Sequence, residues 1–402
     1  MREMKDSGHE TIGLVPSDWT EKRLKYLCKI QTGNEDTQNA NPEGKYPFYV
    51  RSPIVEHCDR YTFDGEGILV AGDGAGAGRI FHHVYGKYAV HQRVYRLSHF
   101  AGNADFIYYY LSNLFPHEMD KGSAQSTVPS MRLPMLLNFP LFLPSKKEQD
   151  KIVTFLDSKC SEIDAISADI QKEIEILEQY KRSVITEAVT KGLNPDVEMK
   201  DSGVPWIGKM PANWACIKGK YILKYMQKPV KPDDGVITCF RDGEVTLRSN
   251  RREDGFTMAD KEIGYQGIDV GDLVVHGMDG FAGAIGISDS RGKASPVLNV
   301  LDSRQNKKYI MYYLRSMAYG DVFAALATGI RVRSCDLRWN KLSVLLYPVP
   351  PLEEQTEIVQ YIEDTLNKVN SVISEKKQQF EVLDSYKKSL IYEYVTGKKE
   401  AL

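Results

Sequence analysis

The chain has 402 residues, of which 26% are charged and 42% hydrophobic, and its formal net charge at pH 7 is −2. This length suggests two to three domains, each large enough to bury its own core, and the composition is that of an ordinary soluble protein. No apolar run approaches the roughly 18 residues of a membrane helix, and the first ten residues contain no apolar signal core. Six scattered cysteines without a CxxC pair argue against a zinc cluster and a disulfide framework. We therefore expect a cytoplasmic protein without membrane contact.

The small net charge hides an uneven distribution along the chain. It divides into −4 over residues 148–182, −3 over residues 353–391 and +5 on the remainder. Two acidic segments thus mask a mildly basic rest, which leaves a nucleic-acid-binding surface open without establishing it.

An internal repeat opens the chain. The stretch "MKDSGHETIGLVPSDW" from Met4 returns as "MKDSGVPWIGKMPANW" from Met199, with nine of sixteen positions identical at a constant offset of 195. Chance would give roughly one match, so we expect one structural unit to occur twice.

Each opening is followed by β-rich runs punctuated by glycine and then by a short helical pattern. The runs include "GILVAGDGAGAGRIFHHV" in the first copy and "GDLVVHGMDGFAGAIGIS" in the second, and the helical patterns are "ADFIYYYLSNLF" and "KKYIMYYLRSMAY". "GDGAGA" from Gly72 fits the GxGxxA loop that cradles a dinucleotide, but an alternating strand pattern follows it instead of a helix. Tight turns in a β-rich domain are the favoured interpretation.

A second repeat predicts two long helices. "PSKKEQDKIVTFLDSK" from Pro144 resembles "PPLEEQTEIVQYIEDT" from Pro350 at an offset of 206, and glycine follows near each end, at Gly192 and Gly397. Apolar residues at steps of three and four over about five heptads favour helices packed as a coiled coil, each roughly 60 Å long. The stripes contain Ile152, Phe155, Ile163, Ile166, Ile170, Ile174, Leu177, Val184 and Ala188, then Ile358, Ile362, Leu366, Val369, Ile373, Phe380, Leu383, Leu390 and Tyr394.

The predicted fold is therefore α+β, with two β-rich domains separated by two long helices. We place the first domain at residues 1–143, the first helix at 144–195, the second domain at 196–349 and the second helix at 350–402.

Motifs of catalysis are missing from the sequence. There is no GxxxxGK[ST] phosphate loop and no [NDS]PP[YFW] tetrapeptide of amino-methyltransferases. "PDVEMK" from Pro195 has the letters of a nuclease site, but they are compressed into six residues, and the counterpart before the first domain, "REMK", lacks the aspartate. His82 and His83 lie in a strand-like run without partners at metal spacing. We predict that the chain has no catalytic residue, no metal site and no cofactor.

Basic and amide side chains in the two domains are candidates for DNA contacts. Arg331 and Arg333 alternate, so in an extended segment both project from one face, and "KGSAQSTVPS" occupies the equivalent place in the first copy. Arginine bonds bidentately to guanine and asparagine or glutamine to adenine, whereas lysine mainly anchors phosphate. The candidates are Arg79, Gln92, Arg93, Lys121, Ser123, Gln125, Arg241, Arg248, Asn250, Arg251, Arg252, Arg331 and Arg333.

Together these features resemble the DNA-specificity subunit of type I restriction-modification systems. The paired "MKDSG…IG…P..W" openings, the paired "P….EQ..IV" helix starts and the "MRL" and "LRW" ends of the domains carry the resemblance, which covers essentially the whole chain. It implies two target-recognition domains, two antiparallel helices and an internal two-fold pseudosymmetry.

The resemblance also implies a function. Such subunits bind a bipartite, asymmetric sequence in double-stranded DNA and hold two methylation subunits and, optionally, two motor-nuclease restriction subunits. They have no active site of their own, because S-adenosylmethionine, ATP and magnesium belong to the partners.

Two other functions remain open at this point. The chain could be a non-catalytic coiled-coil scaffold whose two globules bind proteins, although this gives no reason for two divergent, arginine-bearing domains. It could also be a self-sufficient nuclease or methyltransferase, against which the missing motifs speak.

Overall fold

The computed structural model describes residues 2–122, 129–251, 263–326 and 337–401. By contacts, the chain divides into two units, Met1–Gln171 with Lys377–Leu402 and the contiguous segment Lys172–Lys376. Each unit contains one globular domain and about half of each long helix. Residues 121 and 122 end a helix, and the description there is limited to the backbone.

The first domain and the helix after it follow the predicted order of strands, a helix and a long helix. The elements are β1 (Met4–Asp6), β2 (Leu14–Pro16), β3 (Thr20–Arg23), β4 (Lys29–Thr32), β5 (Tyr46–Tyr49), β6 (Glu56–Cys58), β7 (Phe63–Asp64), β8 (Gly67–Ala71), β9 (Phe81–Val84), β10 (Lys87–Val90), β11 (Val94–Ser98), α1 (Ala104–Gly122), α2 (Leu133–Leu137), β12 (Pro140–Leu143) and α3 (Lys146–Lys191).

The second domain repeats this order with a different set of short elements in its middle. They are β13 (Met199–Asp201), β14 (Lys209–Pro211), β15 (Ala215–Lys218), α4 (Gly219–Ile222), β16 (Leu223–Met226), β17 (Ile237–Cys239), β18 (Val245–Leu247), β19 (Gln266–Ile268), β20 (Leu273–His276), β21 (Ile285–Ile287), β22 (Gly292–Ala294), β23 (Leu298–Ser303), α5 (Lys307–Tyr319), α6 (Val322–Ala325), α7 (Trp339–Leu342), β24 (Leu346–Val349) and α8 (Leu352–Val395).

Three sheets are common to the two domains, and the remaining strands differ. The shared sheets are an opening hairpin (β1–β2; β13–β14), a central antiparallel sheet (β4-β11-β8-β9; β16-β23-β20-β21) and a closing pair (β12–β3; β15–β24). The first domain adds the sheet β6-β5-β10-β7, where the second has two separate pairs, β17–β18 and β19–β22. A common frame thus carries two different inserts.

The opening hairpins explain why the sixteen-residue motif occurs twice. Lys5 Nζ donates to the carbonyl oxygen of Trp19 at 2.8 Å, and Lys200 Nζ donates to that of Trp214 at 2.6 Å. Both indoles are buried in the core of their unit. The lysine therefore fixes the backbone at the tryptophan whose indole packs in the core. The repeated motif thus has a structural role.

The glycines after the long helices pack on the same tryptophans. Gly192 and Gly397 have φ angles of +74° and +70°, which favour glycine because a side chain is strained there. A Cβ atom at Gly192 would lie 3.2 Å from the Trp214 ring, and one at Gly397 would lie 2.9 Å from the Trp19 ring. Within its unit, each helix thus ends against an opening hairpin.

The repeated Glu-Gln pair at the helix starts is also structural. The side chain of Gln355 is fully buried, where its amide donates to Pro350 O at 2.9 Å and its oxygen accepts from Asn306 N at 2.9 Å. Gln149 repeats the arrangement with Pro144 O at 3.0 Å and with a backbone N–H at the start of α1. The glutamine therefore ties the start of each long helix to the start of its domain's own helix.

We expect Gln355→Ala to lower the free energy of unfolding by about 1–3 kcal/mol, because it leaves the partly buried backbone N–H of Asn306 without its acceptor. Urea unfolding of the whole chain measures this change. The matched control is Gln379→Ala, an exposed position on the same helix, which should change stability by less than about 0.5 kcal/mol. Equal effects at the two positions would contradict the structural role of Gln355.

The two long helices are confirmed, with 46 residues in α3 and 44 in α8. In the first unit they are antiparallel, since Phe155 stacks on Tyr394 with ring centroids 4.4 Å apart and Asp164 bonds Lys387 at 2.6 Å. As the residue number rises on α3, that of the contacting residue falls on α8.

The second unit contains the other halves of the same helices. There Glu173 and Lys376 form an ion pair at 2.6 Å, so a lysine that interrupts the predicted apolar stripe points to a carboxylate across the pair. Ile185 and Leu366 line one concave surface of this unit, which again gives the antiparallel direction.

The predicted apolar stripe is wrong at two positions. Ile166 and Phe380 are 50% and 40% exposed, whereas Ile163, Ile170 and Ile174 are buried. A pair of helices buries only a narrow seam, and Ile166 lies about 60° around the helix from Ile163 at 100° per residue. Spacing by three or four residues was therefore too broad a criterion.

Candidate nucleic-acid interface

The glycine-rich loop that follows β8 in the first domain borders a concave surface. This loop connects β8 to β9 in an antiparallel hairpin, so the prediction of turns instead of a dinucleotide loop is confirmed. The concavity has a volume of about 440 Å³. We call it the first groove, and its lining includes Thr37, Arg51, Ser52, Asp73, Gly76 and Ile80.

Asp73 holds two arginines at the first groove. Arg51 Nη1 donates to Asp73 Oδ1 at 2.9 Å, and Arg93 Nη1 donates to Oδ2. Partial burial acts to raise the pKa of Asp73, but the hydrogen bonds and charges of Arg93 and Arg51 outweigh it, and the pKa falls below its ordinary value. The carboxylate therefore stays ionised, and it fixes two guanidinium groups that are 39% and 62% exposed.

The second domain has a groove of about 550 Å³ at the corresponding place. Arg241 Nη2 donates to Asp279 Oδ1 at 2.8 Å. The Nδ1 atom of His276 accepts from the backbone N–H of Asp279 at 2.9 Å, and burial lowers the pKa of this histidine. We call this the second groove, and its lining includes Thr238, Phe240, Arg241, Arg248, Arg251, His276, Asp279 and Val297.

Arg251 combines stacking and ion pairing in the second groove. Its guanidinium lies 4.2 Å from the centroid of the Phe240 ring and bonds Asp242 at 2.7 Å and Glu244 at 3.0 Å. The hydrogen bond that Arg251 donates to Asp242 is the main cause that raises the pKa of Arg251. Asn250 next to it donates to the hydroxyl of Thr246 at 2.9 Å.

Backbone hydrogen bonds show that the two grooves occupy equivalent places. Gly72 N donates to Arg93 O at 2.9 Å, and Gly277 N donates to Val297 O at 2.7 Å, each at the first residue after the corresponding central strand. An arginine at one groove thus stands where the other groove has a valine. The frame is shared while its lining differs.

Comparisons with known proteins find the family that the sequence resembles. Residues 16–176 match the profile of the family described as the type I restriction modification DNA specificity domain. The chain is 23% identical over 394 residues to the type I restriction enzyme EcoDI specificity subunit of Escherichia coli, with 90% of this chain and 86% of that protein covered. It is 24% identical to the MjaVIII specificity subunit of Methanocaldococcus jannaschii, with 96% and 93% covered.

The chain is similar along most of its length to type I restriction-modification specificity subunits. A solved chain from a study of complex assembly and conformational transition in a type I restriction-modification system has the same fold, with a TM-score of 0.64 at 13% identity. That match covers 95% of this chain and 98% of the solved chain. The family profile and the relatives confirm the predicted resemblance, and the solved chain confirms the predicted α+β fold.

The structure brings several of the predicted DNA-contacting residues together. Arg241, Arg248 and Arg251 line the second groove, and Arg93 lies at the first. Gln92 donates to Asp36 Oδ2 at 2.9 Å beside the first groove. Their role in binding DNA stays a prediction.

Arg79 lies elsewhere. Its guanidinium donates to Asp120 Oδ1 at 2.5 Å on α1, and the residue lines a concavity with Asn113 and His117 instead of the first groove. The other candidates fall outside the part of the chain whose side chains are described, and they stay predictions: Lys121, Ser123, Gln125, Arg252, Arg331 and Arg333.

Sequence reasoning missed Arg51, which is the counterpart of Arg241. Each arginine comes just after a strand and bonds the aspartate of the following glycine-rich loop, Asp73 or Asp279. The signal was present as "FYVR" and "TCFR", two short runs that end in arginine. Their offset of 190 fits neither repeat, so only the shared frame aligns them.

Among the described residues, no helix is long and apolar enough to cross a membrane. Within the same ranges, no group of three or more histidine, cysteine, aspartate and glutamate side chains could hold a metal ion.

Proposed function

We propose that this specificity subunit directs a type I complex to a bipartite, asymmetric sequence in double-stranded DNA. In this proposal each domain reads one half of the site through its groove, and the long helices set the number of base pairs between the halves. The observation that carries it is the pair of equivalent grooves, each with an arginine held by an aspartate and with otherwise different linings. A DNA site with two different halves requires two domains that share a fold but differ in the residues that contact the bases.

The exposed apolar residues of the long helices support docking of one partner in two copies. In the first unit Ile166, Val382 and Tyr386 are 50%, 67% and 55% exposed. The residues 206 positions away in the repeat belong to the second unit and are 41%, 54% and 49% exposed, namely Val372, Ile176 and Tyr180. Apolar side chains that stay exposed at matched positions are typical of protein interfaces. We assign them to two methylation subunits.

In this proposal the specificity subunit is non-catalytic. It confers its specificity on an adenine-N6 DNA methyltransferase and, where motor-nuclease restriction subunits join, on an ATP-dependent endonuclease. S-adenosylmethionine, ATP and Mg²⁺ are then bound by those partners. The predicted absence of catalytic motifs in the sequence is consistent with this division of work.

Charge distribution suggests that the chain alone binds DNA weakly. At the two grooves Arg51, Arg93, Arg241 and Arg251 are each paired with a carboxylate, which cancels part of the positive potential that a polyanion would meet. Much of the phosphate affinity should therefore come from the assembled complex, and binding by the chain alone should fall steeply with salt.

Methylation mapping tests the proposal. The chain is produced together with the methylation subunit of its system in a host without adenine methylation, and N6-methyladenine is located by single-molecule sequencing. We expect a two-part motif separated by unspecified base pairs. A contiguous motif, or methylation without sequence preference, would contradict the proposal, and activity of the purified chain alone would favour a self-sufficient enzyme.

A further inference from the structure

A short basic and aromatic patch occurs at the same place in both domains. We define the first Lys–Tyr patch as Arg23, Lys25, Tyr26 and Lys29, and the second as Lys218, Lys220, Tyr221 and Lys224, each 195 residues further along. The two tyrosines are 70% and 72% exposed. The preceding lysine lies over each ring, with Nζ 5.2 Å and 4.9 Å from the centroid.

Within the patches, exposed residues are identical between the two copies while some buried residues differ. If the identical residues only maintained the fold, the opposite would be expected. The exposed Lys25, Tyr26 and Lys29 are identical to their counterparts. In the same segment, the buried Leu24 corresponds to glycine and the partly buried Cys28 to leucine, whereas the buried Leu27 corresponds to the similar Ile222. Packing constrains buried residues far more than exposed ones. Identity at exposed positions therefore indicates contact with something outside the domain.

The patches lie at the end of the central sheet opposite the grooves. On β11, Ser98 pairs with Lys29 at the patch, whereas Val94 pairs with Ala71, the residue before the glycine-rich loop. Four residues of strand separate these ends by about 13 Å. The second domain has the same polarity, with Lys224 opposite Asp302 on β23. The contacts of the patches thus differ from those of the grooves.

Each patch adjoins the start of a long helix in its own unit. In the first unit, Leu27 O accepts a hydrogen bond from Ala101 N at 2.7 Å. Two residues further along, Asn103 N donates to the side chain of Gln149 at the start of α3. In the second unit, Ile222 O accepts from the hydroxyl of Ser303 at 2.6 Å, and Asn306 meets the glutamine of α8. The patches therefore neighbour the helices to which we assign partner docking.

We propose that the two Lys–Tyr patches are matched docking sites for acidic surfaces on two copies of one protein partner, the methylation subunit. This inference rests on the proposed function for the identity of the partner. Positive charge at three positions in each copy, beside an exposed aromatic ring, is complementary to carboxylates on such a surface. Two carboxylates close by are already paired with a cation: Glu21 lies 3.3 Å from Arg23, and Asp302 lies 3.3 Å from Lys307.

The test compares two double variants of the full chain in titrations with the methylation subunit, followed by sedimentation velocity. Lys25→Glu with Lys220→Glu reverses both patches, whereas Lys45→Glu with Lys209→Glu makes the same change in net charge at exposed lysines that the repeat does not duplicate. We expect the patch variant to weaken binding of the methylation subunit at least tenfold and the control variant less than twofold. Lys25→Glu alone should weaken one of the two copies.

Other outcomes separate the alternatives. Unchanged affinity of the patch variant for the methylation subunit would overturn the docking inference and leave the proposed function intact. If that affinity is unchanged and the assembled complex loses affinity for a random DNA duplex, the patches contact phosphates instead. If the unaltered chain does not bind the methylation subunit, both proposals fail.

Discussion

Inserting seven residues into each long helix is expected to lengthen the gap between the two halves of the DNA site by about three base pairs. Insertions after Gln171 and after Lys376 lie opposite each other in an antiparallel pair, and a heptad keeps the apolar seam in register. Seven residues add about 10 Å to a helix, which is the length of about three base pairs. Methylation at the natural site should fall at least a hundredfold.

Methyladenine mapping of this variant measures the new gap. Three base pairs also rotate the duplex by about 100°, so methylation at the lengthened site should be slower than at the natural site in the unaltered protein. The control is the same insertion at Gly86 in the turn between β9 and β10, where an added Cβ would have open space. An unchanged gap in the helix variant would show that the helices do not set the spacing.

Arg51→Ala and Arg241→Ala are expected to relax opposite halves of the recognised sequence. Each removes a guanidinium that an aspartate holds at one groove, and a bidentate contact to guanine is worth about 1–3 kcal/mol of discrimination. Mapping of methyladenine over a library with both halves randomised measures the effect on each position. Arg331→Ala with Arg333→Ala, outside the described residues, carries the same expectation for the half read by the second domain.

Conservative variants separate base readout from phosphate contact. Arg51→Lys and Arg241→Lys keep the charge but lose the planar fork that bonds a base edge or a carboxylate at two points. If the lysine variants restore full sequence discrimination, the arginines act as phosphate anchors. An equal loss of methylation at every position of both halves would likewise show that the arginines act as phosphate anchors.

The helices and the repeated frame could be predicted because their signals are local. Apolar spacing and the prolines before each helix predicted α3 and α8, and "KKYIMYYLRSMAY" coincides with α5. The residues buried between the two long helices were less predictable. Whether Ile163 or Ile166 is buried depends on the direction from which the other helix approaches. Sequence spacing gives the face of a helix only to within about a third of a turn.

The grooves could be predicted only in part because they join segments that are far apart in sequence. Arg241 was recognised as basic, but its bond to Asp279 depends on how the central sheet places two loops. Arg51 was missed for the same reason, because nothing in its local pattern connects it to Asp73. Ion pairs between residues far apart in sequence cannot be predicted from the spacing of residues along the chain.

The composition of the first core has a consequence for the order of events during synthesis. That core contains Ile12 and Trp19 together with Leu390, Tyr394 and Val395, so nearly the whole chain separates parts that must meet. Among the described residues, the buried members of the second core run from Ile185 to Ile362. On the ribosome, the second core can therefore be completed before the first, which still lacks its apolar residues from the end of the last helix. A nascent chain that stops early leaves its first half incomplete.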